Sequence, residues 1–205
     1  MAQSKSGLLI GVEGIDAVGK RTQTSLLTTW FHSKSVTVST ISFPDYSTPI
    51  GREIKHFFVG EKNYSPEVRS LLFAANRWER KAELEGMMSR SEAVIVNRYS
   101  ESNLAYGTSI GLRLDWLLGL ESGLPRADLV LVLDAPADEL YRRRGLNKDR
   151  YERDTALQER ARKSYLELSA KFGWKVIDAT QGVQQTSSAM TAAVSQLLAE
   201  KRGTV

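Results

Sequence analysis

The apolar run Leu8-Leu9-Ile10-Gly11-Val12 ends in Glu13 and passes directly into Gly14-Ile15-Asp16-Ala17-Val18-Gly19-Lys20-Arg21-Thr22. Glycine, four residues, glycine and lysine, set between a strand and a helix, leave few folds open. The glycines let the backbone curl until successive N–H groups point inward at an anion. The following helix presents its positive end to the same point, and the lysine reaches the outer phosphates. The segment reads as a phosphate-binding loop for the triphosphate of a nucleotide such as ATP. In the common form a Ser or Thr after the lysine gives a hydroxyl ligand to magnesium. Here Arg21 holds that place, and Thr22 offers a hydroxyl one residue later on a different side of the helix. Arg21 reads equally well as a solvated helix-start residue or as a phosphate contact.

Short β-branched runs alternate with longer amphipathic stretches along the rest of the chain. The first helix is expected to run to about Trp30, and a second strand over Val36 to Ser42, closed by Phe43-Pro44. Ser65 as N-cap and Pro66 in the first turn predict one long helix to about Met88. Further strands are expected at Ala93 to Asn97, Asp128 to Asp134 and Trp174 to Asp178. A helical stretch fills the first interval, with a break at Gly123-Leu124-Pro125, and a last helix ends in a frayed tail from Lys201 to Val205. Strands separated by helices call for a parallel sheet covered on both faces, with ligands at the carboxyl ends of its strands. No repeat or linker divides the 205 residues, so one domain is expected over 1–205.

Cysteine is absent, which excludes disulfides, thiolate metal sites and a cysteine nucleophile. Met1 to Gly7 is short and polar, with neither a signal peptide nor a membrane anchor written in it, and a cytoplasmic location is the expectation. A formal net charge of +4 suits an enzyme that handles several phosphates. The basic residues form no long stripe with interleaved aromatics, so no nucleic-acid partner is expected.

Three further segments line up with the loop: Phe43-Pro44-Asp45-Tyr46-Ser47-Thr48-Pro49-Ile50-Gly51, Leu72-Phe73-Ala74-Ala75-Asn76-Arg77-Trp78-Glu79, and Asn97-Arg98-Tyr99 running into Ser102-Asn103-Leu104-Ala105-Tyr106. With Gly123-Leu124-Pro125, Asp128 to Asp134 and Asp149-Arg150-Tyr151-Glu152 they make nearly the whole chain resemble the thymidylate kinases, which phosphorylate dTMP to dTDP with ATP. The resemblance implies an α/β P-loop fold in three layers with a five-stranded parallel sheet. It also implies a homodimer, a basic lid at about 142–153, and Mg2+ accompanying ATP.

Site roles follow from the resemblance position by position. Gly14 to Thr22 and, after the last strand, Ala179 would bind ATP, with Lys20 catalytic. Asp16 would face the sugar 3′-hydroxyl and the magnesium shell; a loop carboxylate capping a backbone N–H is the other reading. Phe73 would stack on the pyrimidine, and is otherwise an apolar residue on a helix face. Arg77, one turn on, shares that face and would meet the base, unless it pairs with a nearby glutamate. Arg98 would grip the acceptor phosphate in a forked geometry. Asn103 would read the thymine edge, Tyr106 would crowd the sugar 2′ position, and Phe43 and Tyr46 would complete the substrate site. The usual Asp before Arg98 is Asn97 here, and an amide oxygen binds magnesium less strongly than a carboxylate. Tyr46 replaces a frequent Arg, although some branches of the family carry Phe-Pro-x-Tyr and Gly-Lys-Arg-Thr.

The phosphate loop has Ala17 where some relatives have an arginine, which moves the expected catalytic cation to the lid. Arg143, Lys148 and Arg150 are the candidates. In-line phosphoryl transfer relies on positioning and positive charge around the equatorial oxygens; the plainer reading of these residues is a solvated basic helix end. Two alternatives to a dTMP kinase stay open. One is a kinase of another (deoxy)nucleoside or nucleoside monophosphate. The other is a non-catalytic nucleotide-binding interaction protein, suggested by Arg21 and Asn97.

Overall fold

Ala93 to Val96 are completely buried, as are Leu9, Ile10 and Val12. Such runs belong to strands covered on both faces. A computed structural model of the chain describes residues 7–143, 151 and 154–203, with side chains for all of these except 141–143, 202 and 203. It places β1 (Leu8–Glu13), β2 (Val38–Ser42), β3 (Ala93–Asn97), β4 (Leu129–Asp134) and β5 (Lys175–Asp178) in one parallel sheet of order β2-β3-β1-β4-β5. Alternate residues feed the two faces. Ile10, Val12, Ala93 and Ile95 join one apolar cluster, while Leu9, Val94 and Val96 join the other. Each fully buried side chain of this size contributes about 1.5–3 kcal/mol.

The described helices are α1 (Lys20–Ser33), α2 (Pro49–Phe58), α3 (Pro66–Glu79), α4 (Lys81–Arg90), α5 (Ser100–Ser109), α6 (Leu114–Glu121), α7 (Ala137–Arg143), α8 (Thr155–Phe172) and α9 (Val183–Gly203). Helix α1 turns Lys20, Gln23, Leu27 and Phe31 inward, a stripe at helical spacing. Ser65 caps α3 by accepting the Val68 N–H, with Pro66 in the first turn as expected.

Several boundaries differ from the sequence reading. The single helix expected from 65 to 88 is two, because Arg80 leaves helical geometry at φ −101° and ψ 5°. Its N–H bonds the Arg77 carbonyl in a tight turn, and its guanidinium pairs with Asp45 and Glu83. Helix α2 was not foreseen, although Thr48 caps it by accepting the Gly51 N–H and Pro49 opens it. Gly51 is required there: a Cβ would lie 1.7 Å from the Asp45 carbonyl oxygen. Asp128 stops short of β4 because its carboxylate accepts the Leu9 N–H at 2.8 Å and pairs with Lys201. That pairing also anchors the helical segment read as a frayed tail.

The sheet register positions the site. Val12 and Ser42 both pair with Asn97, so β1, β2 and β3 end level and their following loops emerge side by side.

Candidate active site

The loop after β1 is built around backbone that few side chains allow. Gly14 sits at φ +127°, where a Cβ would meet the Leu133 carbonyl oxygen at 2.4 Å, and Ala17 is held at φ +65°. Lys20 is buried and its ammonium donates to the carbonyls of Gly14 (2.9 Å) and Ile15 (2.6 Å), closing the loop on itself. Gly19, Ile15 and Val18 complete the turn into α1. Arg21 and Thr22 are exposed on the first turn of that helix.

Beside the loop a cleft of about 260 Å³ opens over the level ends of β1, β2 and β3. Its walls include all the residues expected to bind an acceptor. Asp16 comes from the phosphate loop, Phe43 and Tyr46 from the turn after β2, and Arg98 from the end of β3. Phe73 and Arg77 face it from α3, and Asn103 and Tyr106 from α5. Phe73 packs against Phe58 with ring centroids 5.9 Å apart, and Phe43 is seated on Tyr99 at 6.1 Å.

Arg98 stands at φ +59°, a left-handed conformation that costs a non-glycine residue about 1–2 kcal/mol. Its N–H bonds the Val12 carbonyl at 3.2 Å, its guanidinium pairs with Asp16, and its charge lies 5.7 Å from the Tyr106 ring centroid. These contacts hold the strained backbone at the mouth of the cleft. Burial opposes charge on Asp16, but Arg98 and Lys20 outweigh it and keep the carboxyl below its ordinary range. Burial likewise works against the Arg98 guanidinium, and Asp16 more than reverses it.

Among the described residues no backbone N–H bonds the Asp16 carboxylate, whose partners there are all side chains. Its second oxygen accepts from Gln158 (2.8 Å) and from the Tyr106 hydroxyl (3.3 Å). Gln158 on α8 had no motif to reveal it, yet its amide also accepts the Asp16 N–H at 3.0 Å and the Tyr106 hydroxyl at 3.0 Å, and donates to the Tyr151 carbonyl at 3.0 Å. Tyr151 stacks on Tyr106 with ring centroids 5.6 Å apart.

Arg77 is paired with a glutamate, the plainer reading, and it still faces the cleft. Its Nε donates to Glu121 Oε2 at 2.8 Å and its Nη2 to Oε1. Glu121 Oε1 also accepts from Asn103 Nδ2 at 2.7 Å. Glu121 ends a leucine-rich helix that also carries Asp115, and nothing in the sequence set it apart.

On the other side of β1, the Ala179 N–H bonds the Asp134 carbonyl at 2.8 Å, which puts Ala179 at the β5 edge, away from this cleft. Arg162 is bound to Asp134 and Glu159. Lys148 and Arg150 lie outside the described residues, as does the side chain of Arg143.

Glu13 is fully buried, and Glu101, whose charge it feels, is half-buried and lines a second pocket. Glu13 accepts from the Tyr99 N–H, the Ser102 hydroxyl and the Tyr165 hydroxyl, which favour its anion, but complete burial outweighs them and raises its carboxyl. Glu101 Oε2 is buried with no hydrogen-bond partner. Burial first, then the charge of Glu13 and more weakly Glu121, push the Glu101 carboxyl up to about 8, with Arg77 opposing. A raised acid binds its proton more tightly when folded, so the stability it confers is complete below about pH 4.5 and is lost as pH rises through about 8. Glu101→Gln should therefore flatten the fall of Tm between pH 5 and pH 9, by about 3–10 °C. Parallel Tm–pH curves for variant and wild type would contradict this ionisation.

A glycine-rich phosphate loop between the first strand and first helix of a parallel sheet, opening beside a second cleft at the strand ends, defines a P-loop phosphotransferase. The thymidylate kinase family model matches residues 12–190. The chain is 35% identical over 201 residues to a probable thymidylate kinase of Pyrococcus horikoshii, covering 94% of this chain and 98% of that one. It is 32% identical over 185 residues to the thymidylate kinase of Dictyostelium discoideum, covering 90% and 83%. The solved structure of the Candida albicans thymidylate kinase superposes with a TM-score of 0.81 at 29% identity, covering 93% of this chain and 92% of that one. The chain belongs to the thymidylate kinase family.

Proposed function

We propose that the chain transfers the γ-phosphoryl group of ATP to dTMP, giving dTDP for dTTP synthesis. The observation that carries this reading is the cleft. One wall offers an aromatic face and, next to it, a donor-only guanidinium and an amide; the mouth offers Arg98 beside the phosphate loop. Thymine presents a flat ring, a carbonyl at position 4 that only accepts, and a ring N–H that only donates. Phe73 stacks on the ring and Arg77 donates to the carbonyl. Both Asn103 amide hydrogens are used, on Ser70 O (3.2 Å) and Glu121, which leaves its oxygen for the ring N–H. Tyr106 crowds the sugar 2′ position, Asp16 faces the 3′-hydroxyl, and Arg98 takes the acceptor phosphate.

Lys20 leaves the loop carbonyls to meet the β- and γ-phosphates of ATP. Asp16 and Asn97 would hold the Mg2+ that accompanies ATP; the Asn97 side-chain oxygen is buried without a partner, and both residues line the cleft. Among the described residues no group of three or more His, Asp or Glu converges on a metal position. The ion would therefore be shared with phosphate oxygens and water, which suits Mg2+. When bound it neutralises charge on the transferring phosphates.

Val68, Leu71 and Trp78 form an exposed apolar face at helical spacing on α3, and a second copy of the chain covers it in a homodimer. No described helix is long and apolar enough to cross a membrane, and we place the enzyme in the cytoplasm.

Cytosine reverses both polar groups that thymine presents, and each buried mismatch costs about 1–3 kcal/mol. We expect dTMP to exceed dCMP by about two orders of magnitude in kcat/KM, and dUMP to be used partially, since a methyl group is worth about 1–3 kcal/mol. Arg77→Ala should shrink the dTMP-to-dCMP ratio. Equal use of dTMP and dCMP by the wild type, or an unchanged ratio in the variant, would overturn the base-reading account.

A further inference from the structure

Resting on the dTMP reading, we infer that Glu121 is the positioning residue that decides which edge of the acceptor base is read, although it forms no wall of the cleft itself. It stands at the end of α6, buried, and both of its oxygens are engaged by the two residues that face the base. A carboxylate only accepts hydrogen bonds. Its neighbours are therefore compelled to turn donors toward it, and what they turn toward the cleft is fixed by elimination.

For Asn103 the consequence is complete. One amide hydrogen goes to Glu121 Oε1 at 2.7 Å and the other to the Ser70 carbonyl at 3.2 Å. The flipped amide would set its oxygen against two acceptors, so the group left for a ligand is the oxygen. For Arg77 the consequence is orientation and charge. Glu121 takes Nε and one Nη2 hydrogen side-on, which fixes the guanidinium plane and leaves the Nη1 hydrogens and the second Nη2 hydrogen as the donors for a ligand. The same contact neutralises the arginine, so the base end of the cleft offers hydrogen-bond donors without a net positive charge. That leaves the acceptor phosphate to Arg98 at the other end. One carboxylate thus sets a donor and an acceptor side by side in the order that thymine complements and cytosine does not.

Glu121→Gln tests this. The amide keeps one acceptor for Asn103 and Arg77 Nη2 but turns N–H toward Arg77 Nε, donor against donor, and removes the neutralising charge. We expect the dTMP-to-dCMP ratio of kcat/KM to fall at least tenfold, with KM for dTMP rising by a larger factor than kcat falls. Inorganic phosphate should also compete with dTMP more strongly than in wild type, because an un-neutralised Arg77 offers it a second cationic position. Glu121→Asp keeps the carboxylate and should recover part of the ratio. A lower Tm with the wild-type ratio and wild-type phosphate competition would make Glu121 a purely structural residue and overturn the inference. If Glu121→Gln does not fold, Glu121→Asp carries the test: its shorter side chain should still reduce the ratio measurably, and an unchanged ratio overturns the inference. A wild-type enzyme that uses no dTMP would instead refute the underlying functional reading, so the two failures are told apart.

Discussion

Alanine at the lid's catalytic cation is expected to lower kcat by about 10³ to 10⁵, equivalent to roughly 4–7 kcal/mol of transition-state stabilisation. The candidates are Arg143, Lys148 and Arg150. The basis is partly one of elimination among the described residues. Arg162, on α8, is committed to Asp134 and Glu159, and Arg98 is paired with Asp16. Ala17 stands where some relatives carry an arginine, so the phosphate loop supplies Lys20 and the exposed Arg21 but no further cation. A surface charge of the ordinary kind is worth under about 1 kcal/mol, so the two possibilities differ by several kcal/mol and cannot be confused. Three single alanine variants, each measured for kcat with saturating ATP and dTMP, decide between them. If every one stays within about threefold of wild type, the lid is a solvated basic segment and the transition-state charge is met elsewhere.

Lys20→Ala is expected to lower kcat/KM by about 10² to 10³, the range for removing a preorganised donor from developing charge. The structure adds a cost beyond the lost phosphate contact. Because the ammonium ties down the Gly14 and Ile15 carbonyls in the free protein, its loss leaves two loop acceptors without that donor. Each such loss costs about 1–3 kcal/mol when buried, less where water replaces the donor, so Tm should fall by up to about 10 °C while the melt stays cooperative. Turnover close to wild type would remove Lys20 from the transfer step. A loss of activity accompanied by loss of the cooperative melt would make it a folding residue instead.

The sheet was legible because its strands are short, apolar and separated by helical stretches. Ala93–Asn97 appears with the boundaries expected, and the phosphate loop was explicit in its glycines. The errors fall where tertiary contacts override local pattern. Nothing local breaks the helix at Arg80; the break is stabilised by Asp45, far away in sequence. Helix α2 did have local signals in Thr48 and Pro49, and these were overshadowed by the proline-bounded turn before it.

The cleft shows the same division. Phe73, Arg77, Arg98, Asn103 and Tyr106 were legible because they sit in recognisable segments. Glu121 and Gln158 were not, since they belong to otherwise ordinary amphipathic or apolar helices and act by hydrogen-bonding the residues that line the site. A side chain that works through another leaves no spacing to read. Only the fold brings Gln158 to Asp16 and Glu121 to Arg77.

The most direct test of the central claim is to mix the purified protein with ATP, Mg2+ and either dTMP or thymidine, and to identify the phosphorylated product by chromatography. The account predicts dTDP and ADP in equal amounts from dTMP, and no dTMP formed from thymidine. Phosphorylation of thymidine in preference to dTMP, or no transfer to any monophosphate, would contradict it.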